Sequence, residues 1–207
     1  MPYSKSVPQL LGGRLSVDFV NATLSNAELS WESLVHFLES TSVVSVERGA
    51  QLLTLPQSDP QAAEVLLLKA RRLGATLRKV FAAMLRKQKM AGERVEPVNE
   101  ILRITEGHDE LVAKNGVWKI EFVAREVGLD WLLAAVARSG AETIAEGPNA
   151  RLRLCANPHC GLLFYDNSRT RRRRSSPSGS IHIRRWRSAW FSRIPTIHGQ
   201  KGNRRSM

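Results

Sequence analysis

Cys155 and Cys160 are the only cysteines in the chain, and they flank a short Pro-containing turn, Cys155-Ala-Asn-Pro-His-Cys160. Such a bend brings two thiolates close enough to share one metal ion. In a reducing compartment the pair reads as half of a zinc site rather than as a disulfide, because zinc takes sulfur ligands in tetrahedral geometry. On spacing alone, two buried cysteines that hold no metal are an equally good reading. A closed site needs further ligands, and no cysteine follows Cys160. Imidazole is the other common donor, so His159, His182 and His198 are the side chains that would have to replace the missing thiolates. A cysteine nucleophile would need an activating base, and His159 is the one histidine nearby in sequence. There is no Gly-rich phosphate loop, no HExxH and no G-x-S-x-G, so the chain is expected not to be an enzyme.

The charge is unevenly divided. Residues 1–150 hold 17 Lys and Arg against 18 Asp and Glu, whereas residues 151–207 hold 14 against 1, so the net +12 resides in the C-terminal part. A segment of this kind is drawn to polyanions by Coulomb attraction and counterion release, which makes nucleic acid the expected partner. An unstructured basic extension without a specific contact is the alternative. Trp186, Trp190 and Phe191 are interleaved with Arg184, Arg185, Arg187 and Arg193, a mixture suited to stacking on bases and meeting phosphates, or else an incidental aromatic-basic tail. Hydrophobic residues make up 43% of the chain and charged residues 24%, which excludes disorder throughout. No apolar run approaches the roughly 18 residues of a membrane-spanning helix, and the N-terminus lacks a secretory pattern, so a cytoplasmic location without a membrane partner is expected.

The elements that must position these groups read as an α+β fold, mainly helical, with one β-hairpin. Trp31, Leu34, Val35 and Leu38 follow helical spacing behind Ser30, a good N-cap. A stronger helix opens at Asp59-Pro60, with Leu66, Leu73, Leu77, Val80 and Met84 on one face, and is expected to end near Met90 to Gly92. Its other face carries Arg71, Arg72, Arg78, Lys79, Arg86, Lys87 and Lys89, read as a solvated face in preference to a nucleic-acid surface. Pro97 to Glu106 reads as a short helix. Asn115-Gly116 supplies the positive φ angles of a type I′ turn, so Glu110–Lys114 and Val117–Val123 form a hairpin. A last helix over Leu129 to Ile144 stops at Gly147-Pro148, which marks the domain boundary.

The segment Cys155-Ala-Asn-Pro-His-Cys160-Gly-Leu-Leu-Phe-Tyr-Asp-Asn-Ser-Arg169-Thr-Arg-Arg-Arg-Arg174 resembles the first half of the CGNR zinc finger. That family's pattern runs Cys-Ala-Asn-Pro-x-Cys-Gly, Phe-x-Asp-x-Ser-Arg and a basic run, then Trp-Cys-Ser-Met and Cys-Gly-Asn-Arg. The resemblance implies that Cys155 and Cys160 are the first zinc-ligand pair and that Arg169, Arg171, Arg172, Arg173 and Arg174 contact DNA. Near the N-terminus, Gly12-Gly13-Arg-Leu15-Ser-Val-Asp18-Phe19-Val20-Asn21 is similar to the Gly-Gly-x-Leu-x-x-Asp-Phe-Val-Asn-Thr motif of the ABATE-type domain that precedes this finger, with Ala22 in place of Thr. This second resemblance implies a stress-responsive, ligand-sensing module over residues 10–147. Asp18 and Asn21 are then either ligand-pocket residues for a small-molecule effector or local turn and cap residues.

After Arg174 the likeness ends. Ser175-Ser176 stands where the finger pattern has Trp-Cys, and the second cysteine pair is absent. Residues 151–174 are thus read as half a finger and residues 175–207 as a divergent basic tail. A change of reading frame or a sequencing error in the encoding gene would account for so abrupt a loss; one of the two other frames downstream of Arg174 should then encode Trp-Cys followed by Cys-Gly-Asn-Arg. The expected function is a DNA-binding transcription regulator, with homo-oligomerisation as a further possibility. The alternative is a ligand-sensing or partner-titrating module without a working finger.

Overall fold

The computed structural model describes residues 11–25, 29–88, 92–114, 117–157 and 160–170. Within them the fold is mainly helical with two small antiparallel hairpins, and the helical body precedes the cysteine-bearing segment as the sequence predicts.

Helix α1 (Leu15–Ser25) carries the N-terminal motif and is not foreshadowed by any periodicity. Every residue from Ser16 to Asn21 is buried, so the helix has no polar stripe for an amphipathic pattern to reveal. Helix α2 (Trp31–Ser40) begins where Ser30 caps it by accepting from the Ser33 N–H, and Trp31, Leu34, Val35 and Leu38 are buried as expected. Phe37 joins them and meets Phe19 of α1 edge to face, ring centroids 5.2 Å apart. Two shorter helices, α3 (Val46–Leu53) and α4 (Leu55–Ser58), lead into α5 (Pro60–Leu85).

Helix α5 starts at Asp59-Pro60, where the Asp59 carboxylate accepts from the Ala62 N–H at 2.9 Å. Leu66, Leu73, Leu77 and Val80 form its buried stripe, with Met84 packed partly buried at the edge of the core. It ends at Leu85, several residues before Met90; Lys87 turns the chain with a φ of 53°. On the opposite face Arg72 pairs with Glu100 at 2.9 Å and Arg71 donates to the Leu29 carbonyl at 3.0 Å, the behaviour of a solvated face tied to its own protein.

Helix α6 (Glu96–Ile104) buries Val98 and Ile101. The hairpin pairs β1 (Gly107–Lys114) with β2 (Val117–Ala124), Lys114 lying opposite Val117. Its strands reach further at the base than the alternation shows. Residues 115 and 116, on which the turn-type expectation falls, lie outside the described residues. Helix α7 (Trp131–Ala145) runs through the centre, with Leu132, Leu133, Val136 and Ala137 inaccessible to solvent, and Gly147-Pro148 follows its end. None of the described helices is long and apolar enough to cross a membrane.

Candidate metal and DNA site

Beyond α7 a second hairpin, unannounced by the sequence, pairs β3 (Leu152–Leu154) with β4 (Leu163–Tyr165). Each strand is three residues long, too short for alternation to stand out. The cysteines sit at its far end. The Cys155 N–H donates to the Leu162 carbonyl at 2.9 Å, continuing the ladder, and the Cys160 N–H donates to the Asn157 carbonyl at 3.0 Å, closing the turn. Both cysteines are buried, and they belong to one cluster with Leu162, Phe164 and Leu11.

Strand β4 works on two sides, because successive side chains of a strand point opposite ways. Leu163 enters the core of the helical body, whereas Phe164 belongs to the cysteine cluster. Short strands of this kind need external support, and α1 supplies it. Asn21 Nδ2 donates to the Leu163 carbonyl at 2.9 Å, and the Leu163 N–H donates to Asn21 Oδ1 at 3.0 Å. One side-chain amide thus stands in for a neighbouring strand. Next to it, the Tyr165 N–H donates to the Gly12 carbonyl at 2.6 Å. The Gly12 N–H in turn donates to the Asp18 carboxylate at 2.7 Å.

The paired glycines are required by this geometry. A Cβ on Gly12 would lie 2.8 Å from Val17 Cγ1 and 2.9 Å from the Asp18 nitrogen, and Gly13 has a φ of +71°. Burial pushes the Asp18 carboxyl up to about 6, against the downward pull of N–H groups from Gly12 and Leu11. Asp18 directs its carboxylate at the Gly12 N–H, six residues away, and Asn21 directs its amide at the backbone of Leu163, 142 residues away.

A second clamp closes from α7. Glu146 receives Arg14 at 2.5 Å and also the Tyr165 hydroxyl, while the Arg14 guanidinium lies 4.1 Å from the centre of the Tyr165 ring. Asp166 is fully buried and accepts from the Ser168 N–H at 3.0 Å, the Ser168 hydroxyl at 2.5 Å and Arg153 Nε at 3.2 Å. This Asx-type turn ends the hairpin and sets Arg169 on the surface immediately after it. Sequence reasoning assigned no role to Arg14, Glu146 or Tyr165. Asp166-Asn-Ser168, by contrast, is a readable turn signal.

Of the sequence-predicted site residues, the fold brings Cys155 and Cys160 together and exposes Arg169. Arg171 to Arg174, His159, His182, His198 and the aromatic-basic tail lie outside the described residues. Among the described residues no group of three or more His, Cys, Asp or Glu is arranged to hold a metal ion. Structural zinc is almost always held by four ligands, so the two cysteines among the described residues do not by themselves complete a site, and α1 and α7 secure the hairpin. Chelator treatment of the purified protein should therefore leave its thermal midpoint unchanged, and its zinc content should fall well below one per chain. A fall of more than about 5 °C, equivalent to roughly 1–2 kcal/mol in a domain of this size, would show that metal holds the hairpin.

A helical body that grips a short cysteine-bearing hairpin, with an arginine-rich sequence following it, defines the class of protein. Residues 13–147 match the family ABATE, described as "Putative stress-induced transcription regulator", and residues 151–175 match the CGNR zinc finger. The chain belongs to the ABATE family, with the finger in the order that its sequence resemblance implies. No curated protein matches it.

Proposed function

We propose that this protein is a DNA-binding transcription regulator, not an enzyme, whose finger has become a scaffold for an arginine-rich segment. The observation that carries this reading is the Asp166–Ser168 turn. It fixes the hairpin end through a buried carboxylate and leaves Arg169 exposed at the head of Arg171 to Arg174. Guanidinium groups in that position meet phosphate oxygens and release counterions, which gives affinity with little base discrimination. Zinc is not required for it.

Duplex binding by fluorescence anisotropy across a salt series tests the proposal. Each phosphate contact contributes roughly 0.9 to the slope of log K against log salt. Replacing Arg169, Arg171, Arg172, Arg173 and Arg174 together by Ala should flatten the slope by up to about 4.5. An unaltered slope and affinity in that variant would refute the assignment.

The lack of a second cysteine pair in the sequence favours a second reading, in which the helical body senses a small molecule or titrates an intact relative and makes no DNA contact of its own. Titrating the protein into a relative already bound to DNA separates the two. Loss of the complex without any duplex binding by this chain alone supports the second.

A further inference from the structure

We infer that the outer edge of β2 is a self-complementary interface, through which two copies of this chain join their β1–β2 hairpins into a four-stranded antiparallel sheet. The hairpin is a two-stranded ladder, and α7 is the helix packed against β2. Helix α7 lies at the base of one face: Arg138 reaches Asp109 at 3.1 Å and lies 4.7 Å from the Phe122 ring centre, and Asp109 is opposite Phe122 in the ladder. Among the described residues no strand covers the β2 edge. On the same face as Asp109, Leu111 is 64% exposed and Ala113 is exposed as well. A lone hairpin is marginally stable, and three or more strands with an apolar face are the usual remedy.

The ladder dictates which backbone groups face outward. The Arg125 N–H donates to the Glu106 carbonyl at 2.7 Å, just below the Gly107–Ala124 pair. Hydrogen-bonded and non-bonded pairs alternate in an antiparallel ladder. Positions 123, 121, 119 and 117 therefore bond inward to β1, and positions 118, 120, 122 and 124 turn their N–H and C=O groups to the open edge. A two-fold partner must place even positions opposite even positions, which leaves few registers.

The sequence of β2 selects among them. Val117-Trp-Lys-Ile-Glu-Phe-Val123 is self-complementary on reversal: centred on Ile120, it sets Val117 opposite Val123, Trp118 opposite Phe122 and Lys119 opposite Glu121 of the second copy. Centring on Lys119 or Glu121 would oppose like charges, and centring on Phe122 would shorten the ladder and match no charges. In the Ile120 register the Lys–Glu pairs fall at non-hydrogen-bonded positions, where facing residues come closest, at about 4.5 Å between Cα atoms. Within the hairpin, moreover, Glu121 is opposite Glu110, a like-charge pairing that an added lysine offsets.

Charge reversal in the full chain, freed of nucleic acid and followed by sedimentation equilibrium, tests this surface. K119E alone and E121K alone should each weaken self-association roughly tenfold or more, because both symmetric pairs become repulsive. The two variants mixed in equal amounts should form a heterodimer, and the doubly swapped chain should again form a homodimer. Far-UV circular dichroism establishes that each variant is folded; E121K sets a lysine opposite Glu110 and should fold at least as well. A wild-type chain that remains monomeric overturns the inference. So does a dimer indifferent to both single reversals, or single variants that stay apart when mixed.

Discussion

Asn21→Ala should lower the unfolding free energy by about 2–6 kcal/mol, because it strands both the N–H and the C=O of Leu163 in a dry interior at roughly 1–3 kcal/mol each. Leu163 has no solvent exposure, so water cannot easily replace the lost partner. The amide serves both atoms at once: its oxygen accepts from the N–H and its nitrogen donates to the carbonyl. Asn21→Asp tests this directly. It keeps the acceptor but removes the donor and sets a carboxylate against the Leu163 carbonyl, so it should recover little of the loss. Urea unfolding of the three chains, with hydrogen exchange at the Leu163 amide, gives the measurement. A loss below about 0.5 kcal/mol in Asn21→Ala, the range of ordinary surface substitutions, would mean that the amide does not hold the hairpin. The variant is also expected to loosen Cys155 and Cys160, since their cluster is carried on β4 through Phe164.

The second large effect is one of pH. Asp18 has its carboxyl raised from 3.8 to about 6 by burial beneath the Gly12 loop. The folded state therefore binds this proton more tightly than the unfolded chain does, and linkage fixes the sign. The stabilising contribution is fully present below about pH 4, is lost as pH rises through about 6, and is absent above that. At roughly 1.4 kcal/mol per unit, the total is about 3 kcal/mol. Asp18→Asn has no charge to gain and keeps a carbonyl oxygen for the Gly12 N–H. The stability difference between the native chain and this variant should therefore change by about 2.4 kcal/mol between pH 4 and pH 7. Other titrating groups cancel in the comparison. Parallel stability curves across that window would exclude Asp18 as the source. Because the Gly12 carbonyl also receives the Tyr165 N–H, ionisation of Asp18 acts on the loop that holds β4.

Local signals and tertiary consequences separate cleanly here. Ser30 and Asp59 cap their helices through hydrogen bonds made within three residues, and the stripe from Leu66 to Val80 is set by helical period alone, so both are visible in one dimension. The β1–β2 hairpin is legible for the same reason: adjacent strands joined by two residues need no distant partner. Helix α1 and the β3–β4 hairpin are not. The first is buried on all sides and the second is three residues deep; each exists because the other elements enclose it, and enclosure leaves no periodic trace.

The sequence by itself determined the helical class, the position of the cysteine turn, the concentration of charge behind it and the absence of a second cysteine pair. These are matters of residue type and near neighbours. Tertiary structure alone decided what the Gly12–Asn21 motif is for, since its partners are Leu163 and Tyr165, more than 140 residues away. It also decided how the hairpin survives with half a ligand set. Hydrogen bonds from α1 and the Arg14–Glu146–Tyr165 clamp hold it against the helical body.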